Sequence, residues 1–233
     1  MSASAETRFG PLPGILLVLT GTTGLIDAIS VLGLGHVFTA NMTGNVVFLG
    51  FAAAGAVGLS AARSSVALLA FVAGALLAGK MESSMRTGPR HRWYGGAFAT
   101  EATLLLASAA VAAGSGFDLT NREPILYAVI VLTGFAMGFR NGTVRRLGVA
   151  DLTTTVLTLG IAGLAADSSV AGGANPGWLR RAASVMMMFG GAALGAYLLR
   201  TSLALALGIA GAISALCALA AVLSQPAHRG GSP

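Results

Sequence analysis

The sequence predicts an all-α integral membrane protein. Its expected form is a two-repeat helical bundle with six full spans plus two re-entrant or half-spanning helices. Three observations support this fold. Apolar residues make up 55% of the 233 residues and charged residues only 9%, whereas a soluble domain carries about 25% charge. The apolar residues fall in long runs, and two of these runs share a polar motif. A chain with so little charge cannot cover a water-facing surface, which excludes a soluble enzyme and a disordered chain.

Eight apolar segments follow one another along the chain. A full span needs roughly 20 residues at about 1.5 Å rise each. Segments one, two, four and eight reach that length and segment seven nearly does. Segments three, five and six are shorter unless polar or Arg-bearing ends extend them. Apolar residues succeed one another without alternation, which excludes a transmembrane β-barrel. The segments cover residues 15–34, 37–57, 66–79, 93–113, 125–139, 152–166, 182–199 and 202–223.

One polytopic membrane domain accounts for most of the chain. We expect a cytoplasmic N-terminal tail over residues 1–11, the membrane domain over 12–223 and a polar C-terminal tail over 224–233. Repeat 1 covers about 12–113 and repeat 2 about 123–223. The lone cysteine, Cys217, excludes a disulfide framework.

A polar motif occurs twice, 110 residues apart. Residues 39–50, TANMTGNVVFLG, and residues 149–160, VADLTTTVLTLG, coincide at five of twelve positions. Upstream, Gly24 and Asp27 match Gly138 and Asn141 at an offset of 114, and downstream 74–76 resembles 191–193 at an offset of 117. These matches indicate an internal duplication. Small transporters are commonly built from such repeats, with the binding site between the halves.

The distribution of Lys and Arg favours six spans over eight. If all eight segments cross the membrane, the 14 basic residues divide eight against six. If segments two and six enter and leave on the same side, the division is eleven against three. Basic residues favour the cytoplasmic side. We therefore expect six spans in a bacterial inner membrane with both termini cytoplasmic, and eight transmembrane helices, 4+4, are the alternative.

Ionisable side chains inside the apolar segments are candidate functional residues. Asp27 lies in the first segment and Glu101 in the fourth, where a carboxylate costs a few kcal/mol unless it is paired or hydrated. Each could bind a cation or proton, or could instead orient and pair helices. Arg140 ends segment five. It could be the charge partner of a buried carboxylate, although anchoring at the cytoplasmic side would also explain it.

The repeated motif supplies the other candidates for a solute or ion pathway. Short oxygen side chains cap helix N-termini, and capping alone would explain most of them. Alternatively, two half-helix N-termini would project positive potential to the middle of the membrane, where a solute or ion can use it. The candidates are Asn41, Thr43 and Asn45 in the first half and Asn141, Asp151, Thr153 and Thr155 in the second.

Motifs of catalysis and cofactor binding are missing from the sequence. The three histidines have no metal-binding spacing, and neither a nucleophile elbow nor a phosphate-binding loop occurs. We therefore expect no enzyme activity, no metal and no cofactor. The basic residues flank apolar runs and form no stripe with aromatic residues, so no nucleic-acid partner is expected.

Three motifs carry a family resemblance. They are GLIDA at 24–28, ANMTGN at 40–45 and RRLGVADLTTTVLT at 145–158. With them, the chain resembles the YoaK-type small membrane proteins, a bacterial family labelled as a domain of unknown function. One departure is Arg140-Asn141-Gly142, where the family pattern is closer to Gln-Asn-Ala. The resemblance implies an inner-membrane protein of several spans and brings no established activity or substrate.

Together these patterns favour a small transporter or permease for an unidentified small solute or ion, with a site between the two repeats. The alternative is a non-transport sensor or assembly partner that uses its polar residues for packing. The expected partners are the lipid bilayer and the solute or ion. A second copy of the chain could also pack through the Gly/Ala-rich helix faces near 74–79 and 190–195.

The basic residues give a direct test of orientation. Reporter fusions at Ser2 and at Pro233 should both report the cytoplasm, because eleven of the fourteen Lys and Arg residues then lie on that side. Two fusions that both report the periplasm would contradict this orientation.

Overall fold

The computed structural model describes residues 11–84, 90–116, 118–148 and 157–224. The regular structure of these residues is helical throughout, which confirms the predicted all-α membrane class. The predicted tails, 1–11 and 224–233, lie almost entirely outside the described residues. The helices are α1 (Leu12–Gly33), α2 (Met42–Ala53), α3 (Ala61–Ser84), α4 (Arg90–Val111), α5 (Glu123–Leu147), α6 (Leu157–Ala166), α7 (Trp178–Leu199) and α8 (Leu203–Leu223), with a 3-10 turn at Ser169–Ala171 between α6 and α7.

The helices fall into two length classes. Six have 21 to 25 residues, whereas α2 has 12 and the described α6 has 10. Five of the long helices, α1, α3, α5, α7 and α8, are apolar enough to cross a membrane. The sixth, α4, is equally long but contains Glu101 between Thr100 and Thr103. Segments three and five gain their length from polar and basic ends, because α3 continues to Ser84 and α5 to Leu147.

Two apolar clusters define the ends of the bundle. At the Trp93 end, the first turns of α1 and α4 pack with the last turns of α5 and α8 through Leu12, Trp93, Leu147 and Ala221. At the Leu119 end, the last turns of α1, α4 and α7 meet the beginnings of α5 and α8. The residues there include Leu34, Ala112, Leu119, Leu126, Leu199 and Leu203. Adjacent long helices therefore run in alternating directions between these two ends.

Each short helix lies between two long helices that end and begin at the same end of the bundle. The first turn of α3 is at the Leu119 end, where the Arg63 guanidinium and Thr120 both lie against Gly35, and α1 finishes at that same end. Helix α2 connects the two. In the second half, α5 finishes and α7 begins at the Trp93 end, and α6 lies between them. The two halves thus have opposite orientations, as the six-span arrangement requires. The number of spans in a bilayer stays a prediction.

Glycines permit two equivalent close crossings. In the α1–α7 pair, Gly24 lies against the Met188 carbonyl and Gly191 against the Gly21 carbonyl. In the α3–α5 pair, Gly138 lies against the Phe71 backbone and Gly74 against the Phe135 carbonyl. A side chain at any of these four glycines would overlap main-chain atoms, so only Gly allows this approach.

The sequence offsets relate one crossing to the other. Gly24 and Gly138 are 114 residues apart, as are Gly21 and Phe135, while Gly74 and Gly191 are 117 apart, as are Phe71 and Met188. Corresponding positions therefore make corresponding contacts. The duplication itself stays a prediction, and this geometry supports it. Part of the Gly/Ala-rich surface that we expected to contact a second copy of the chain packs within the chain, because Gly74 and Gly191 form these crossings.

Cysteine labelling distinguishes six spans from eight. In a Cys217→Ser background, His36→Cys before α2 and Ala56→Cys after it should react with an impermeant maleimide from the same side. Ser83→Cys at the Trp93 end should react from the other side. All three positions are exposed, and the long helices on either side of α2, α1 and α3, end and begin at the Leu119 end. Opposite labelling of positions 36 and 56 would establish that α2 crosses the membrane.

Candidate functional site

A fully buried ion pair lies at the centre of the bundle. Arg140 Nη1 on α5 is 3.0 Å from Glu101 Oε1 on α4, and neither side chain is exposed. Ser214 Oγ on α8 donates a 2.9 Å hydrogen bond to the same carboxylate oxygen. Arg140, which the sequence offered as a charge partner for a buried carboxylate, thus lies against Glu101 in the structure.

Two adjacent threonines on α1 hold the guanidinium. Arg140 Nη1 donates to Thr22 Oγ1 at 2.7 Å, and Nη2 donates to Thr23 Oγ1. Both hydroxyls in turn donate to the Leu19 carbonyl, at 2.8 and 3.0 Å. Because each hydroxyl proton is directed along its own helix, the oxygen lone pairs are left to accept from Arg140. The sequence analysis did not select Thr22, Thr23 or Ser214.

The centre still has polar capacity for a ligand. Among the described residues, Glu101 Oε2 and Arg140 Nε have no hydrogen-bond partner, although both atoms are buried. An unsatisfied buried polar group costs about 1–3 kcal/mol. Glu101 Oε2 can still accept a hydrogen bond and Arg140 Nε can still donate one. A small polar solute or a water molecule can supply a donor and an acceptor of this kind.

Asp27 forms a second polar group next to this centre. Its Oδ1 accepts a 3.1 Å hydrogen bond from the Ala40 N–H, and its Oδ2 accepts one from Asn41 Nδ2. Asn41 occupies the N-cap position of α2 but makes no side-chain capping bond. The capping interpretation is therefore wrong for Asn41, because its amide instead holds the start of α2 against α1.

The remaining candidates have different environments. Asn45 is buried, yet its amide donates to the Phe38 carbonyl at 2.6 Å and accepts from the Phe38 N–H at 2.9 Å. Asn45 thus fixes the loop before α2. Thr43 is exposed on the outside of α2. Asn141 is half-buried and donates to the Met137 carbonyl of its own helix at 2.8 Å. The three other candidates, Asp151, Thr153 and Thr155, lie outside the described residues.

The two polar groups form one line across the bundle. Thr23 and Asp27 are four residues apart on α1 and so share a face of that helix. The line runs from the α2 loop at the Leu119 end to the middle of α8. In order, its members are Asn41, Asp27, Thr23, Arg140, Glu101 and Ser214. One sequence signal could have identified the threonines, namely that Thr23 lies one turn before a buried carboxylate.

The line reaches the interface between the halves. Glu101 and Ser214 are 113 residues apart, close to the offsets of 110 to 117 that relate the halves, and each lies near the middle of its helix. When a rotation axis relates two repeats, residues at corresponding positions of the repeats contact each other where they lie close to that axis. The ion pair therefore lies between the halves and midway between the two ends.

Substitutions of the ion pair should show strong coupling. Glu101→Leu or Arg140→Met alone should lower stability by about 3–5 kcal/mol, because each leaves a buried charge unpaired. The double variant should recover most of that loss, since the pair is replaced by apolar groups and the threonine hydroxyls keep their bonds to Leu19. Melting temperatures in detergent measure the effect.

A partly exposed ion pair in the same protein provides the control. Arg146 and Glu82 are 3.3 Å apart, and their side chains are 52% and 24% exposed. Glu82→Gln should therefore cost no more than about 1 kcal/mol. If the Glu101→Leu/Arg140→Met double variant instead loses as much stability as the two single variants together, the two side chains are not energetically coupled.

Comparison with known proteins assigns the family. Residues 15–220 match the family described as "Protein of unknown function (DUF1275)". The chain is 35% identical to the UPF0700 transmembrane protein YoaK of Bacillus subtilis (strain 168) over 159 residues, which cover 66% of each chain. No solved structure matches it. The family predicted from the motifs is thereby confirmed, and the chain is a multi-pass membrane protein that belongs to the DUF1275 family.

Proposed function

We propose that this protein is a small transporter or permease whose solute-binding centre comprises Asp27, Arg140 and Glu101. The observation that carries the proposal is the burial of three ionisable groups within the helices, two of which, Glu101 and Arg140, form an ion pair between the two halves. Ionisable groups at that depth are costly and usually mark ion or solute pathways. Transporters built from inverted repeats bind their solutes at this place.

The charge of the centre indicates the class of solute or coupling ion. Two carboxylates face one guanidinium, which leaves one negative charge when all three groups are ionised. Both donors to Asp27, the Ala40 N–H and the Asn41 amide, are neutral. A net negative charge away from water favours binding of a cation or proton. We therefore propose a monovalent cation or a proton as the transported or coupling species.

The α2 loop provides the route to Asp27. Ala40 and Asn41 bring irregular backbone to the level of Asp27, well inside the length of α1. Irregular backbone at membrane depth is tolerated where it is buried in protein or lines a cavity. Displacing the start of α2 would remove both hydrogen bonds from Asp27 and open its carboxylate toward the Leu119 end.

We further propose a bacterial inner-membrane location with the Trp93 end cytoplasmic. Lys80, Arg145 and Arg146 are exposed at that end, and basic residues favour the cytoplasmic side. In this orientation the α2 loop and Asp27 face the periplasm.

Flux measurements with Asp27→Asn test the proposal. Proteoliposomes containing the wild-type protein are assayed with sodium-22, with rubidium-86 and, by a trapped pH dye, for protons. Asp27→Asn should reduce the supported flux at least tenfold, because the centre loses its net negative charge. The melting temperature should remain near that of the wild type, since the Asn41 amide can rotate to accept from the new amide.

Two further variants make the result specific. Asp27→Asn combined with Asn41→Asp returns a carboxylate to the same hydrogen-bonded pair and should restore part of the flux, whereas Thr43→Ala on the outer surface should leave it unchanged. Wild-type protein that moves none of the three probes would favour a sensor or assembly partner. Full flux by the Asp27→Asn variant would remove Asp27 from the pathway.

A further inference from the structure

We propose that a groove between α3 and α5 at the Trp93 end binds the headgroup of an anionic phospholipid. The groove has a volume of about 530 Å³ and opens on the outer surface of the bundle. It is remote from the α2 loop and independent of the proposed transport centre. Its lining residues are Ala75, Leu76, Gly79, Lys80, Ser83, Gly142, Arg145 and Arg146.

The rim of the groove carries an excess of positive charge. Arg145, Arg146 and Lys80 are exposed there, and Glu82 is the one carboxylate beside them in the described part of the chain. Glu82 pairs with Arg146 at 3.3 Å, whereas no acidic side chain among the described residues contacts Arg145. The forked donors of Arg145 and Arg146 match the oxygens of a phosphate.

Below the rim the groove is apolar and narrow. Leu76 is 62% exposed on its wall, and Gly142 lies against Ala75 and Ala78, which brings the two helices close together. A side chain at Gly79 would meet only Arg146 Nη2, at 3.9 Å, so the floor there is open. A basic rim above an apolar furrow matches a phospholipid, with its phosphate at the rim and an acyl chain along Leu76.

Convergence of two helices distinguishes this groove from ordinary charge bias. The positive-inside tendency explains basic residues at a membrane boundary, but it does not require that they line one furrow from both sides. Here Lys80 comes from α3, and Arg145 and Arg146 come from α5. Basic pockets between membrane helices on the cytoplasmic side recognise anionic headgroups in this manner.

Binding of short-chain phosphatidylglycerol to the purified full-length protein tests the assignment. Native mass spectrometry in detergent should show tighter binding of phosphatidylglycerol than of phosphatidylcholine with the same chains. Arg145→Gln should weaken phosphatidylglycerol binding about fivefold, which corresponds to about 1 kcal/mol for one basic residue. Arg145→Lys keeps the charge but loses the forked donors, so it should bind more tightly than Arg145→Gln and more weakly than the wild type. This graded order excludes a folding defect as the cause.

Two matched variants distinguish lipid binding in this groove from general attraction of anionic lipid to basic residues. Arg122→Gln removes an exposed arginine from the other end of the same helix and should leave phosphatidylglycerol binding unchanged. Gly79→Leu keeps every charge but fills the floor, and it should weaken binding as well. Equal losses in Arg145→Gln and Arg122→Gln, or equal affinities for the two lipids, would overturn the proposal. Competition by inorganic phosphate at matching affinity would also overturn it, by identifying a free-anion site.

Discussion

The ion pair between Arg140 and Glu101 is the interaction on which the rest of the interior depends. Four helices contribute to it, because Thr22 and Thr23 on α1 and Ser214 on α8 bond the two charged groups that come from α5 and α4. In a bilayer no water compensates for a broken bond at this depth. The rotation and height of all four helices are therefore constrained by one buried guanidinium.

Glycine crossings complement this polar centre. Apolar side chains gain little by leaving lipid for a protein interior, so membrane helices associate through close packing and internal hydrogen bonds. The α1–α7 and α3–α5 pairs provide the close packing, with Gly24 and Gly138 in corresponding places. The helices α1 and α5 thus take part in both kinds of contact, since each has a glycine face toward one partner and polar groups toward the centre.

The proposed function depends on the unequal number of negative and positive groups in this centre. A single ion pair would be sufficient for a purely structural role. Asp27 adds a second carboxylate, one turn from Thr23. Its hydrogen bonds come from Ala40 and Asn41 at the start of the short helix α2. The position of the start of α2 is thereby coupled to a buried charge, which the proposed transport mechanism would use. The basic groove lies at the other end of the bundle and would anchor α3 and α5 to the lipid surface.

The sequence by itself determined the membrane class and the order of eight helices, because hydropathy is a property of local composition. Hydropathy alone gives segment two the length of a full span, whereas the distribution of Lys and Arg predicts that it does not cross, and α2 has only 12 residues. It also showed that Asp27, Glu101 and Arg140 need polar surroundings, since a charge in an apolar segment requires a partner. The tertiary structure alone decided which partner each would have. Glu101 and Arg140 are 39 residues apart, and Arg140 and Thr22 are 118 apart. Those pairings depend on how the helices are rotated and packed against one another, which residues so far apart in the sequence do not reveal. For the same reason only the fold could show that Asn41 bonds Asp27 while Asn45 secures its own loop.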